Sequence, residues 1–135
     1  MSYCSTSYSR ISQFAAELYR AGIVDDIGRM KEGPRVRTSN DTREFVLVSE
    51  DEVEKGGAIT VTQKDIRELQ LAKGAIRAAI WCLLDSAGLS ESDIDEVIVA
   101  GAFGSYIDIS SAITIGMLPP LPEERFRQGG TPRVR

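Results

Sequence analysis

The chain has no histidine, two cysteines, one tryptophan and no long apolar run. Without histidine there is no imidazole to act as general base or metal ligand, which excludes His-based catalytic triads and histidine-containing zinc sites. Two cysteines, Cys4 and Cys82, fall short of the four thiolates that hold a two-iron cluster, and their placement offers no disulfide framework. No stretch approaches the roughly 20 apolar residues that span a bilayer, and the start lacks the apolar core of a signal peptide, so the cytoplasm is the expected compartment. Positive charge is also in deficit. A net charge of −4 and a pI near 4.9 disfavour a nucleic acid partner, because phosphate recognition needs a basic face. Repeats and low-complexity tracts are absent as well.

What remains is an ordinary globular composition. The 135 residues are 42% hydrophobic and 27% charged, enough for one domain with a modest core. Residues 11–21 place Ile11, Phe14, Ala15, Leu18 and Ala21 on one helical stripe, with Gly22 as the stop. Residues 28–40, rich in Gly, Pro, Ser and Asn, read as a loop around a short strand at 35–37. Residues 45–48 and 59–62 are β-branched or apolar runs separated by an acidic, glycine-containing segment, which predicts a hairpin with a solvated loop.

A long helix follows over residues 62–87. Ile66, Leu69, Ala72, Ile76, Ile80, Leu83 and Ala87 recur every three or four positions and define one core-facing stripe. Thr62 is placed to cap the amino end, Asp65 to meet the positive end of the helix dipole, and Gly88 to close the helix in a left-handed conformation. Cys82, beside Trp81 and Leu83 in mid-helix, reads as a buried free thiol. After a short helical turn within residues 89–94 comes a strand at 97–100, expected to join the strands at 45–48 and 59–61 in one sheet backed by the long helix.

This strand runs directly into Gly101, Ala102, Phe103 and Gly104. Strands that end in glycine-rich turns at their carboxyl ends are where open α/β sheets admit ligands, since backbone without side chains can approach a nucleotide closely. A plain turn is the competing interpretation. Asp108 is placed as the cap of a helix over residues 109–115, and Arg125, Arg127, Arg133 and Arg135 read as a solvated, basic end.

The segments VTQKDIRELQLAKGAIR, VAGAFGSYID, AITIGMLP and LPEERFRQ, together with AELYRAGIVDDIGRM nearer the start, resemble the ATP-dependent reductive activators of corrinoid proteins, iron–sulfur proteins of the actin, sugar-kinase and heat-shock-chaperone ATPase superfamily. The resemblance implies an α/β fold: the carboxyl-terminal, ribonuclease-H-like subdomain of an actin-like ATPase, with a small sheet packed on a long helix. It divides the chain into a divergent or disordered start (residues 1–12), the partial ATPase subdomain (13–128) and a disordered tail (129–135).

The same resemblance makes Gly101, Ala102, Phe103 and Gly104 the adenosine-facing turn, with Phe103 either leaning on the base or filling the gap between turn and helix. Gln63, Lys64, Asp65 and Lys73 either face a ribose or phosphate or form a solvated helix face. Members of the family carry a ferredoxin-type domain, a first ATPase domain and phosphate loops, none of which is recognisable here. The expectation is therefore a truncated activator that keeps the adenosine side, binds ATP or ADP with Mg²⁺ weakly, holds no iron–sulfur cluster and is inactive alone. Its partners would be a corrinoid protein or the remainder of the activator. The alternative is a non-catalytic interaction or dimerisation module, because a half-domain leaves apolar surface to be covered by a second copy or another protein.

Overall fold

The computed structural model describes residues 5–101 and 107–129. Helix α1 (Ser5–Arg20) buries Ala15, Ala16 and Leu18 and ends before Gly22, whose φ of +74° supplies the left-handed turn. It starts upstream of the apolar stripe that predicts it. The Ser- and Tyr-rich segment has no helical period of its own, but extending a helix that packing has already nucleated adds a hydrogen bond for each residue fixed.

Beyond Gly22 the chain makes a small loop closed by an isolated bridge between Val24 and Met30. The Asp25 carboxylate accepts from the backbone N–H of Ile27 (3.1 Å) and of Arg29 (2.8 Å). Strands β1 (Val36–Ser39) and β2 (Thr42–Val48) form an antiparallel hairpin around Asn40 and Asp41, at φ +50° and +59°. Positive φ at both central residues matches the right-handed strand twist, and Asn and Asp tolerate it best after glycine. The short strand expected at 35–37 is thus one arm of this hairpin. Strand β3 (Ile59–Thr62) pairs antiparallel with β2, Phe45 opposite Val61, the hairpin expected of the two apolar or β-branched runs.

Helix α2 (Gln63–Ala87) has the expected ends. The Thr62 hydroxyl accepts from the Asp65 N–H at 3.1 Å, the Asp65 carboxylate accepts from the Thr62 N–H at 2.8 Å, and Gly88 closes the helix at φ +67°. Its core stripe is only half realised. Ile66 and Leu69 are buried and Ile76 and Ile80 partly so, whereas Leu83 is 72% exposed, Ala87 is exposed, and Cys82 is an exposed thiol where a buried one was expected. The reason is length: 25 residues of helix run about 37 Å, while strands of four to seven residues back only its first turns.

A second correction concerns the sheet. Strand β4 (Val97–Ala100) does not join β2 and β3; it pairs in parallel with β5 (Phe126–Gly129), and the described strands form one three-stranded and one two-stranded sheet. Two arginines expected in a solvated tail are structural: Arg125 donates to the Ile94 carbonyl (2.9 Å), and Arg127, on β5, pairs with Glu96. Helix α3 (Ile109–Thr114) lies against α1, and Ala112, Met117 and Leu118 join Leu18, Met30, Val61, Ile66 and Leu69 in a single core. No helix among the described residues is long and apolar enough to cross a membrane.

Candidate functional site

The carboxyl edge of the β4–β5 pair is the part of the predicted site that the structure describes. Gly101 follows β4 at φ +87°, so the chain leaves the strand through a conformation that side chains disfavour. Ala100 lies opposite Gly129 in the parallel register, and a Cβ placed on either Gly101 or Gly129 would meet none of the described residues within 4 Å. Two residues without side chains thus stand where two parallel strands end. Ala102, Phe103 and Gly104 lie outside the described residues. Re-entry into the core is firm: Ile107 is 3% exposed and its carbonyl accepts from the Gln128 carboxamide of β5.

Asp108 then caps α3 as expected. Its carboxylate accepts from the Ser111 N–H at 2.9 Å and from the Ser111 hydroxyl, and these bonds hold its pKa below the ordinary Asp value. A depressed carboxyl pKa means stability that is present above the unfolded-state pKa and lost as pH falls through the folded one. Asp108→Ala should therefore cost about 0.5–2 kcal/mol near neutral pH. In urea denaturation the gap between variant and parent should close in acid, below the ordinary Asp pKa of about 3.9. A gap independent of pH would show that packing of the side chain, and not the charged cap, is what the substitution removes.

A cavity of about 240 Å³ opens elsewhere, between α1, the 24–28 loop, the first half of α2 and the end of α3. Ile66 and Leu69 line its floor, while Tyr19, Asp26, Gln70 and Lys73 give it a polar rim. The Tyr19 hydroxyl donates to Asp26 at 2.8 Å, which raises the phenol pKa. Gly116 stands at φ +77°, and a Cβ on it would come into ordinary contact with the end of the Lys73 side chain. Gly101 is not in this lining.

The four polar α2 positions considered for a ribose or phosphate therefore divide. Lys73 faces the cavity and Lys64 is exposed. Asp65 serves the helix cap, and Gln63 ties the loop to α2 by donating to the Gly28 carbonyl and accepting from the Met30 N–H, both at 2.7 Å. Sequence reasoning missed Tyr19, Asp26 and Gln70; the only local signal was the Asp25–Asp26 pair just beyond a helix stop. No cluster of three or more metal-ligating side chains occurs among the described residues.

Comparison with known proteins gives the family. Residues 9–132 match the family described as the C-terminal domain of RACo, the ASKHA domain, a match that takes in Gly129, Gly130, Thr131 and Pro132 at the glycine-rich end. The chain is 36% identical over 123 residues to the corrinoid activation enzyme RamQ of Eubacterium limosum, covering 84% of this chain and 21% of that enzyme. It is 34% identical over 76 residues to the [Co(II) methylated amine-specific corrinoid protein] reductase of Methanosarcina barkeri, covering 56% of this chain and 14% of the reductase. A solved reductive activator for corrinoid, iron–sulfur protein superposes with a TM-score of 0.80 at 38% identity, covering 89% of this chain and 20% of the activator. The chain thus spans about a fifth or less of the length of these relatives. With its parallel β4–β5 pair, long α2 and matching residues from 9 to 132, the chain belongs to the ASKHA-domain family of corrinoid reductive activators.

Proposed function

We propose that these residues form the adenosine-facing wall of the nucleotide site in an ATP-dependent reductive activator, a machine that uses ATP to drive an electron from an iron–sulfur cluster to an oxidised corrinoid cobalt. The observation that carries the reading is Gly101: a left-handed glycine at the carboxyl end of a parallel strand, with none of the described residues within 4 Å of where a Cβ would be. A strand end without side chains is where a nucleotide can come close to the backbone, and Gly129, opposite Ala100, adds no side chain there.

The partner of the complete machine is a corrinoid protein, the class named for the relatives. The 135-residue polypeptide by itself has two cysteines and so cannot supply a four-thiolate cluster. It also shows neither of the two phosphate loops between which this superfamily holds the terminal phosphates and Mg²⁺. Half a cleft covers half a ligand, whereas small-molecule sites bury most of their ligand, so ATP binding should be weak and turnover nil.

Calorimetric titration with ATP and Mg²⁺ tests the wall. Weak saturable binding is expected in the parent, and Gly101→Val should weaken it about tenfold or more. Gly56→Val is the control, because Gly56 has φ +110° in a loop away from β4 and carries the same kind of backbone strain. Affinity unchanged in Gly101→Val, or lost equally in Gly56→Val, would remove the support for this edge. Steady phosphate release by the purified parent that disappears in Gly101→Val would overturn the claim that the polypeptide is inactive alone.

A further inference from the structure

The cavity between α1, the 24–28 loop and α2 is separate from the Gly101 edge. It lies at the carboxyl ends of α1 and α3, whereas Gly101 leads toward the amino end of α3. At about 240 Å³ it falls below the roughly 300–1,000 Å³ of sites for drug-sized ligands. It is thus too small for a nucleotide and has the volume of about eight waters. Ala15, Val24, Ile66 and Leu69 give it an apolar floor, where a water would lack the roughly two to four polar partners that hold one in place.

Its rim carries charge of both signs. The Lys73 ammonium is half-buried, 3.6 Å from where a Cβ on Gly116 would stand, and no carboxylate among the described residues pairs with it. Asp26 takes the Tyr19 hydroxyl on one oxygen at 2.8 Å, and its other oxygen accepts no hydrogen bond from the described residues. The remaining polar groups are committed. Asp25 holds the N–H groups of Ile27 and Arg29, and the Gln70 carboxamide donates to the Ile27 carbonyl at 2.9 Å. The Thr114 hydroxyl accepts from Arg20 and donates to the Ser110 carbonyl, both at 2.9 Å. One cation and one anion are therefore left to meet a ligand above an apolar floor.

We propose that this cavity binds a small apolar amino acid, its carboxylate on Lys73, its ammonium on Asp26 and its side chain over Ile66 and Leu69. A zwitterion meets both charges without bringing net charge into a partly apolar space. A carboxylic acid of the same shape leaves Asp26 without a partner, and an amine of that shape leaves Lys73 without one. The site requires no nucleotide, so it stands or falls apart from the reading of the Gly101 edge.

Amide NMR titrations of the full 135-residue chain with L-leucine, 4-methylpentanoate and 3-methylbutylamine test the proposal, since the three share one branched body and differ in charge. L-leucine should bind with a dissociation constant on the order of millimolar, and each of the other two about tenfold more weakly. The Gly28 and Gly116 signals should move and the Gly101 signal should not. Lys73→Met keeps the apolar stem and removes the charge, so it should weaken L-leucine about tenfold and leave 3-methylbutylamine as in the parent. Asp26→Asn keeps an acceptor for Tyr19; it should weaken L-leucine to the same extent and leave 4-methylpentanoate unchanged. Those unchanged affinities show that the cavity survives each substitution. Gly101→Val should bind L-leucine as the parent does, which keeps the two readings distinguishable. The absence of a saturable shift with L-leucine overturns the proposal, as do three probes that bind alike, shifts that spare Gly28 and Gly116, or variants that weaken every probe equally.

Discussion

Leu69→Ala should destabilise the chain by about 2–5 kcal/mol, while Leu83→Ala, on the same helix and in the same sequence stripe, should change stability by no more than about 0.5 kcal/mol. The contrast comes from what backs each residue. Leu69 is 5% exposed and packs in the cluster that holds Val24, Met30 and Met117, so truncation leaves a cavity in a close-packed core. Leu83 is 72% exposed, beyond the reach of β2 and β3, and its truncation removes little apolar surface from contact. Ile66→Ala, at 3% exposure, belongs with Leu69. Urea denaturation at protein concentrations below the onset of self-association is the appropriate measurement, since any dimer contributes its own stabilisation by mass action. Equal losses at Leu69 and Leu83 would mean that the second half of α2 is covered in solution by something that the fold of this chain does not supply.

The same pair of residues marks how far a one-dimensional reading reaches. Local chemistry was legible: the Thr62 cap, the left-handed Gly88 and the Asp108 cap each depend on residues within a few positions of one another, and each stands where the sequence puts it, while Asp65, read only as a charge for the helix dipole, also closes a capping box with Thr62. The helical period of α2 was legible too, but period says only which side of a helix is apolar. It cannot say how much sheet lies beneath, and so Leu83 and Cys82 read as core. Pairing between distant strands was illegible for a related reason. Phe126–Gly129 has no alternation and ends in glycine, so nothing in it announces a strand; β5 exists because β4 offers a parallel partner and because Arg125 and Arg127 reach Ile94 and Glu96 across the gap. Of the candidate site, Gly101 could be read from a strand breaking into small residues. The cavity could not, since Tyr19, Gln70 and Gly116 come from the start, middle and end of the chain and share no motif.

Gly28→Ala should cost about 2–3 kcal/mol, of which roughly half should vanish when Gln70 is also replaced by alanine. Two separate physical terms act at this position. Gly28 sits at φ +76°, where an L side chain pays about 1–2 kcal/mol for crowding its own carbonyl. In addition, a Cβ there would overlap the Gln70 carboxamide, which donates to the Ile27 carbonyl at 2.9 Å. The end of a glutamine is flexible, so the side chain would swing away and surrender that bond, worth about 0.5–1.5 kcal/mol. Gly22→Ala separates the two terms without further assumptions: Gly22 has nearly the same φ, +74°, but a Cβ on it meets nothing within 4 Å, so only the backbone strain should appear. In a double-mutant cycle Gly28→Ala should couple to Gln70→Ala by about 0.5–1.5 kcal/mol, whereas Gly22→Ala should not couple to it at all. Both Gly28 and Gln70 also line the cavity beneath α1, so the displaced carboxamide would reshape its mouth. Equal costs for the two glycine substitutions, with no coupling at either, would show that Gln70 does not brace the loop and that backbone conformation alone demands glycine there.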